Sequence, residues 1–166
     1  MYDQTWYSFA NGLNFGCTQC GRCCMGPEEG YVWLCDTEIT LIAAELGIPR
    51  AKFIEQYTQP IDLDVYVPSF ADISESQANR YVVMKSLCED KKTKDCVFLK
   101  EGRCSIYHVR PNQCRTWPFW ELNLESPEMW NMAARRCKGI NRGRRYSFEE
   151  IEAIRRSDEW WFASNG

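Results

Sequence analysis

The feature that most constrains this chain is a run of four cysteines within eight residues, Cys17-x2-Cys20-x2-Cys23-Cys24. A spacing of two residues lets the loop turn back so that both thiolates reach one metal, and Gly21 eases that turn. Three cysteines at successive two-residue spacing are typical of loops that hold a cubane iron–sulfur cluster, where a further cysteine serves a second cluster. Classical zinc fingers use two separated pairs. The spacing therefore favours iron–sulfur and leaves zinc open.

Cys23 and Cys24 are adjacent, which adds a constraint to this loop. Because the side chains of neighbouring residues diverge, we expect the two thiols to face different directions. Cys23 would then join Cys17 and Cys20 on one centre, while Cys24 points to a second centre or bridges to it. The alternative is that Cys24 is a small buried apolar side chain.

A second, wider group of cysteines follows as Cys96-x7-Cys104-x9-Cys114-x22-Cys137. Cys96 and Cys104 flank a predicted hairpin, Cys114 lies just after Pro111, and Cys137 closes a predicted helix. With the first four they make eight thiols, enough for two four-ligand sites. A single site, with the remaining cysteines structural, is also open.

The joint pattern resembles the CxxCxxCC, or YkgJ-type, cysteine-cluster family over about residues 16–139. The matching motifs are the opening run, Cys96-Val97-Phe98-Leu99, Gly102-Arg103-Cys104-Ser105-Ile106-Tyr107, Arg110-Pro111-x2-Cys114-Arg115-x2-Pro118-Phe119 and a final Cys137. The resemblance implies a domain that chelates zinc or iron, often labelled an iron–sulfur oxidoreductase. A related cysteine cluster occurs in flagellin lysine N-methylases. The ligands it implies are Cys17, Cys20, Cys23, Cys24, Cys96, Cys104, Cys114 and Cys137.

Arginine and aromatic side chains surround Cys114 in the sequence. Arg110 and Arg115 would raise the reduction potential of a negatively charged cluster, as cofactor-binding residues outside its ligand set. They could equally bind backbone carbonyls. Trp117, Phe119 and Trp120 would form an apolar shell around a metal, although core packing would look the same.

Three further candidates lie outside the implied ligand set. His108 is the single histidine, and a lone histidine cannot build a two-histidine Rieske site. Cys35 and Cys88 do not correspond to the family's cysteines, so we interpret them as buried or incidental thiols. No residue is assigned a catalytic role.

Composition bounds the remaining classes of function. The chain has 166 residues, 45% hydrophobic and 26% charged, which is the profile of one globular domain. No apolar run approaches the ~20 residues of a membrane span, and the first residues lack the pattern of a secretory signal. We therefore expect a cytoplasmic protein with no membrane partner, whose cysteines bind metal rather than form disulfides.

The charge is uneven along the chain. Residues 1–75 hold three basic and eleven acidic side chains, a net charge of –8, whereas residues 76–166 hold seventeen basic and twelve acidic, a net charge of +5. The acidic half argues against a dominant role in binding phosphate, so nucleic acid is not the expected partner.

Local patterns predict a small α+β domain with short helices, a small antiparallel sheet and much irregular structure around cysteine-ligated metal. Helices are expected at 37–46 (capped by Asp36 or Thr37), 49–58, 111–114, 127–137 and from Ser147 towards Trp160. Strands are expected at 63–68 and 80–87, with a hairpin from 96 to 107. One domain would span 1–166, with a core pattern at 16–139 and a helical extension at 147–162.

Three functions are carried forward from the sequence. The first is an iron–sulfur protein, with a 4Fe-4S cluster as the favoured cofactor, acting in electron transfer with an unidentified redox or protein partner. The second is a structural zinc module. The third, implied only by the resemblance, is a protein-modifying enzyme related to flagellin lysine N-methylase.

Overall fold

The computed structural model describes residues 5–60 and 85–157, which form one small α+β domain. Its helices are α1 (Trp6–Phe9), α2 (Asp36–Glu45), α3 (Arg50–Tyr57), α4 (Asn112–Thr116), α5 (Glu121–Leu124), α6 (Pro127–Arg136) and α7 (Phe148–Ser157). Short 3₁₀ helices lie at Arg22–Cys24 and Tyr107–Val109. Its strands are β1 (Leu13–Phe15), β2 (Trp33–Leu34), β3 (Thr58–Pro60), β4 (Lys85–Leu87), β5 (Leu99–Lys100), β6 (Arg103–Cys104) and β7 (Arg144–Tyr146). The predicted fold class is confirmed.

The helix predictions are confirmed within the described residues, and the part of the last helix predicted beyond residue 157 lies outside them. The cap of α2 is one residue earlier than expected. The Cys35 thiol accepts a hydrogen bond from the Glu38 backbone N–H at 3.4 Å, and the Glu38 carboxylate accepts one from the Cys35 N–H at 3.0 Å. A cysteine therefore completes a capping box, so the prediction of Asp36 or Thr37 as the cap is wrong. The predicted box of α7 forms between Ser147 and Glu150.

The strands form three small antiparallel sheets within the described residues. β5 and β6 make the predicted hairpin, with Leu99 opposite Cys104. β4 lies between β2 and β3, and it is the described part of the strand predicted at 80–87. The strand predicted at 63–68 lies outside the described residues. The pairing of β1 with β7 was not predicted, because it joins segments about 130 residues apart along the chain.

Buried apolar side chains form two clusters. The first cluster joins the beginning and the end of the chain and comprises Tyr7, Leu13, Phe15, Phe119, Leu124, Trp130, Ala133, Ile140 and Ile151. The second comprises Ile39, Ile42, Ala43, Phe53, Leu87, Phe98 and Ile106. The final helix, which lies beyond the family pattern, belongs to the core because Ile151 is fully buried in the first cluster.

Helices within residues 5–60 and 85–157 fall short of the length and apolar content that crossing a bilayer requires.

Candidate metal centre

The cysteines of both segments line a single small cavity that is partly open to solvent. Its sulfur-bearing residues are Cys17, Cys20, Cys23, Cys24, Cys96, Cys104, Cys114 and Cys137. Phe15 of the first cluster and Phe98 of the second also line it. The cavity therefore lies where the two apolar clusters meet.

Backbone contacts join the two cysteine segments directly. The Cys96 N–H donates to the Cys24 carbonyl at 2.8 Å. Two residues further along, the Gly26 N–H donates to the Asp95 carboxylate at 2.9 Å. Gly26 lies so close to the Thr93 carbonyl that a Cβ would overlap it. These contacts hold the end of the first cysteine run against the segment that begins the second group.

Close backbone contacts also hold the start and the middle of the Cys17–Cys24 loop. The Gly16 N–H donates to the Gly139 carbonyl at 3.0 Å, which brings Cys17 near Cys137. Gly21 adopts a left-handed conformation with φ of 67°, and a Cβ there would overlap the Gly102 carbonyl. The Cys17–Cys24 loop therefore rests on the hairpin turn that precedes Cys104.

Arg136, at the end of α6, also fixes this loop. Its Nε donates to the Arg22 carbonyl at 3.2 Å, and its Nη2 donates to the Met25 carbonyl. One side chain thus caps both ends of the turn that carries Cys23 and Cys24, and it does so from the residue next to Cys137.

Cys23 and Cys24 have their sulfur atoms 3.9 Å apart. The expectation that their side chains diverge is therefore wrong. Both residues lie in the 3₁₀ helix Arg22–Cys24, whose tight turn carries the two thiols toward the same cavity. The thiols of Cys23 and Cys24 therefore face the same cavity.

The thiols around Cys24 influence one another's ionisation. The pKa of Cys24 is raised, because its thiol is hydrogen-bonded to neighbouring sulfur atoms. The largest contribution comes from Cys104, followed by Cys23 and Cys96. The same hydrogen bond from Cys24 lowers the pKa of Cys104 to about 6, helped by the nearby Arg110 charge. The pKa of Cys23 falls to about 7, again chiefly through Cys24. Because the thiolate is the form of cysteine that binds metal, the lowered pKa values of Cys23 and Cys104 favour metal binding near neutral pH.

Cys114 reaches the cavity from the short helix α4. Burial raises its pKa well above the usual range, and the charges of Cys96 and Cys23 add to the shift. The neighbouring Gln113 orients this helix, since its Oε1 accepts from the Trp33 N–H at 2.9 Å and its Nε2 donates to the Tyr31 carbonyl at 3.1 Å.

The remaining candidate residues divide into one that lines the cavity and four that do not. Arg110 lines the cavity, with its Cζ 3.9 Å from the centroid of the Tyr107 ring. Arg115 is exposed and is not among the lining residues, and His108 is also exposed. Cys35 and Cys88 are half-buried and stand outside the cavity wall.

Two arginines at this site, Arg22 and Arg136, were not predicted from the sequence. Arg22 and Arg136 line the cavity together with Arg110, and no aspartate or glutamate of the described part of the chain does. Arg22 lies between Cys20 and Cys23, so its place in the cysteine run could have indicated that it lies at the site. Arg136 directly precedes Cys137, and that position is a signal of the same kind.

The donor set fits a thiolate-bound metal, because eight soft sulfur donors suit zinc or iron–sulfur centres. Among the described residues, no three His, Cys, Asp or Glu side chains are already grouped as a site for a metal ion. The thiols instead line the wall of a shared cavity. All ten cysteines are free thiols.

Comparison with known proteins agrees with this chemistry. The sequence profile of the CxxCxxCC family, described as a "putative zinc- or iron-chelating domain", matches residues 16–138, and the chain belongs to this family. An uncharacterized protein of Methanocaldococcus jannaschii is 27% identical over 141 residues, which cover 81% of this chain and 63% of that protein. The chain therefore spans less than two thirds of that relative. No solved structure matches the chain.

Proposed function

We propose that this protein is an iron–sulfur protein that transfers single electrons, with one or two centres held by the eight cavity cysteines. The observation that carries the proposal is the meeting of eight thiols from two distant segments at one cavity. Eight thiols exceed the four that a single tetrahedral zinc ion takes, and thiolates are the usual ligands of iron–sulfur clusters. A cluster bound there would supply a one-electron redox couple.

The chain's own residues support that role electrostatically. Arg22, Arg110 and Arg136 line the cavity, and their positive charges offset the negative charge of thiolates. Cys17 and Cys23 are exposed, so the side of the cavity that carries them is where a redox partner would approach. A reducing, cytoplasmic setting belongs to the proposal, because the thiolates must stay reduced.

Metal analysis of protein purified without oxygen tests the proposal. We expect iron and acid-labile sulfide in comparable amounts, with visible absorption that bleaches on reduction by dithionite. Cys20→Ala and Cys114→Ala then count the centres: with two centres each change removes part of the iron, and with one centre each removes nearly all of it. A colourless protein that holds stoichiometric zinc and no sulfide contradicts the proposal.

The spacing of Cys23 and Cys24 favours a second candidate, a structural zinc module. A tetrahedral zinc ion with Zn–S bonds of about 2.3 Å separates its sulfur ligands by about 3.8 Å. The two thiols are 3.9 Å apart, which suits two ligands of one ion. Zinc would then hold together a fold with short elements and two separate apolar clusters. Zinc without sulfide in the same analysis is the outcome that selects this function.

A further inference from the structure

Two buried hydrogen-bond donors at the cavity have no partner among the residues that the structure describes. Within residues 5–60 and 85–157, the buried side-chain nitrogen and oxygen atoms without a hydrogen bond are Thr5 Oγ1, Arg110 Nε and Trp117 Nε1. Arg110 and Trp117 both line the cysteine cavity. Native proteins pair nearly all buried polar groups, so two unpaired donors at one cavity indicate an acceptor that binds there.

Neighbouring rings hold both donors in place. The Arg110 guanidinium lies over the Tyr107 ring, 3.9 Å from its centroid. The Trp117 ring packs edge-on against Trp120, with centroids 4.7 Å apart. Each donor group therefore packs against a neighbouring ring, which limits its movement.

Sulfur is the acceptor that the cavity presents to these donors. Cys23, Cys104 and Cys114 line the same cavity as Arg110 and Trp117, so the wall that carries the two donors also carries their sulfur atoms. A cysteine sulfur bound to metal is a thiolate, and a thiolate accepts a charge-assisted hydrogen bond more strongly than a neutral thiol does.

We propose that Arg110 Nε–H and Trp117 Nε1–H are positioning groups that donate hydrogen bonds to the anionic sulfur of the bound metal centre. The acceptor is either a metal-bound cysteine thiolate or an inorganic sulfide. This inference rests on metal binding at the cavity, as in the proposed function, but it holds for zinc as well as for an iron–sulfur cluster. Such bonds orient ligands, and in a cluster they raise the reduction potential.

Trp117→Phe, with Trp120→Phe as its matched control, tests the inference. Trp120 Nε1 already donates to the Gln113 carbonyl at 2.9 Å, so its loss should destabilise metal-free and metal-loaded protein alike. Trp117→Phe should leave the metal-free protein as stable as wild type or more stable, because it removes an unpaired donor. In the loaded protein it should weaken metal affinity about tenfold, as expected for a lost charge-assisted bond. An equal effect of Trp117→Phe on both states overturns the inference.

The corresponding change at Arg110 separates its charge from its hydrogen bond. Arg110→Lys keeps the positive charge and removes the Nε–H, whereas Arg110→Gln removes both. We expect Arg110→Lys to lose metal affinity as Trp117→Phe does. Affinity equal to wild type in Arg110→Lys leaves only the charge and contradicts the hydrogen bond.

Separate loading with zinc and with iron plus sulfide distinguishes the two acceptors. A loss in both arms identifies a cysteine thiolate, and a loss confined to the iron–sulfide arm identifies an inorganic sulfide. If the protein accepts only zinc, the electron-transfer proposal fails while the zinc arm still tests this inference.

An NMR measurement covers the case in which a variant does not fold. In ¹⁵N-labelled wild-type protein, the indole N–H of Trp117 should shift downfield on loading with zinc if the acceptor is a cysteine thiolate, and only on loading with iron plus sulfide if it is an inorganic sulfide, while that of Trp120 stays nearly constant. An indole signal of Trp117 that moves with neither loading overturns the inference.

Discussion

Glu38 Oε1 accepts a hydrogen bond from the Asn112 backbone N–H at 2.6 Å, joining the first turn of α2 to the first residue of α4. The other carboxylate oxygen of Glu38 accepts from the Cys35 N–H at 3.0 Å. Glu38 is only 7% exposed, so one buried carboxylate satisfies two backbone donors. It thereby sets the position of the helix that carries Cys114.

Glu38→Gln should destabilise the protein by about 1–3 kcal/mol, because an amide nitrogen then faces a backbone N–H and one buried donor is left unpaired. Denaturant unfolding measures the change. Glu45→Gln, at an exposed position near the end of the same helix, is the control and should change the free energy of unfolding by no more than about 0.5 kcal/mol. Equal effects of the two variants would contradict the role of Glu38.

Gly21→Ala should lower both stability and metal content. A Cβ at Gly21 would overlap the Gly102 carbonyl, so the cysteine loop must move away from the hairpin turn. Gly47→Ala is the matched control, because Gly47 has nearly the same φ, 64° against 67°, and a Cβ there has no neighbour within 4 Å. Both variants carry a left-handed strain of roughly 1–2 kcal/mol, but only Gly21→Ala should also lose metal. Metal loss in both would show that the close approach to Gly102 is unimportant.

Substitutions of cysteine by serine should divide the ten cysteines into two groups. Cys104→Ser should reduce metal content, because oxygen is a poorer ligand than sulfur for zinc or iron–sulfur centres. Cys35→Ser should keep both metal and stability, since a serine hydroxyl serves well as the cap of α2. Cys88→Ser should also retain its metal, because Cys88 does not line the cavity. Metal loss on replacing Cys35 or Cys88 would place a ligand outside the cavity.

Tyr7 should make stability sensitive to alkaline pH. Burial, together with its 2.6 Å hydrogen bond to Glu152, raises the pKa of Tyr7 to about 12. Unfolded tyrosine ionises near pH 10, so the stabilisation is complete below about pH 10 and is lost as pH rises toward 12. Tyr7→Phe should flatten this decline, measured as the free energy of unfolding against pH.

Glu152→Gln provides the companion measurement for Tyr7. Removing the Glu152 charge takes away part of the cause of the raised pKa of Tyr7. The decline of the free energy of unfolding with pH should therefore span a narrower pH range than in the wild type. A wild-type stability that does not change between pH 10 and 12 would contradict the burial of Tyr7 against α7.

The local features of this fold could be predicted from neighbouring residues. The capping box of α7 and the β5–β6 hairpin depend on residues a few positions apart, so their chemistry is visible in the sequence. The cap of α2 was misplaced by one residue, because cysteine is an uncommon cap and its role depends on how the Glu38 side chain turns. The predicted directions of the Cys23 and Cys24 side chains were wrong, because a 3₁₀ turn held by Arg136 aligns the two thiols.

The sequence by itself determined the chemistry of this protein: two groups of cysteines whose spacing indicates metal, within a chain of α+β pattern. Only the tertiary structure decided that the eight thiols share one cavity, that Arg110 lines it while Arg115 lies exposed, and that Trp117 leaves a buried donor there. The reason is that ligand type and local spacing are properties of short segments. Which segments meet depends on long-range contacts such as Cys96 with Cys24 and Gly16 with Gly139, and no local pattern encodes them.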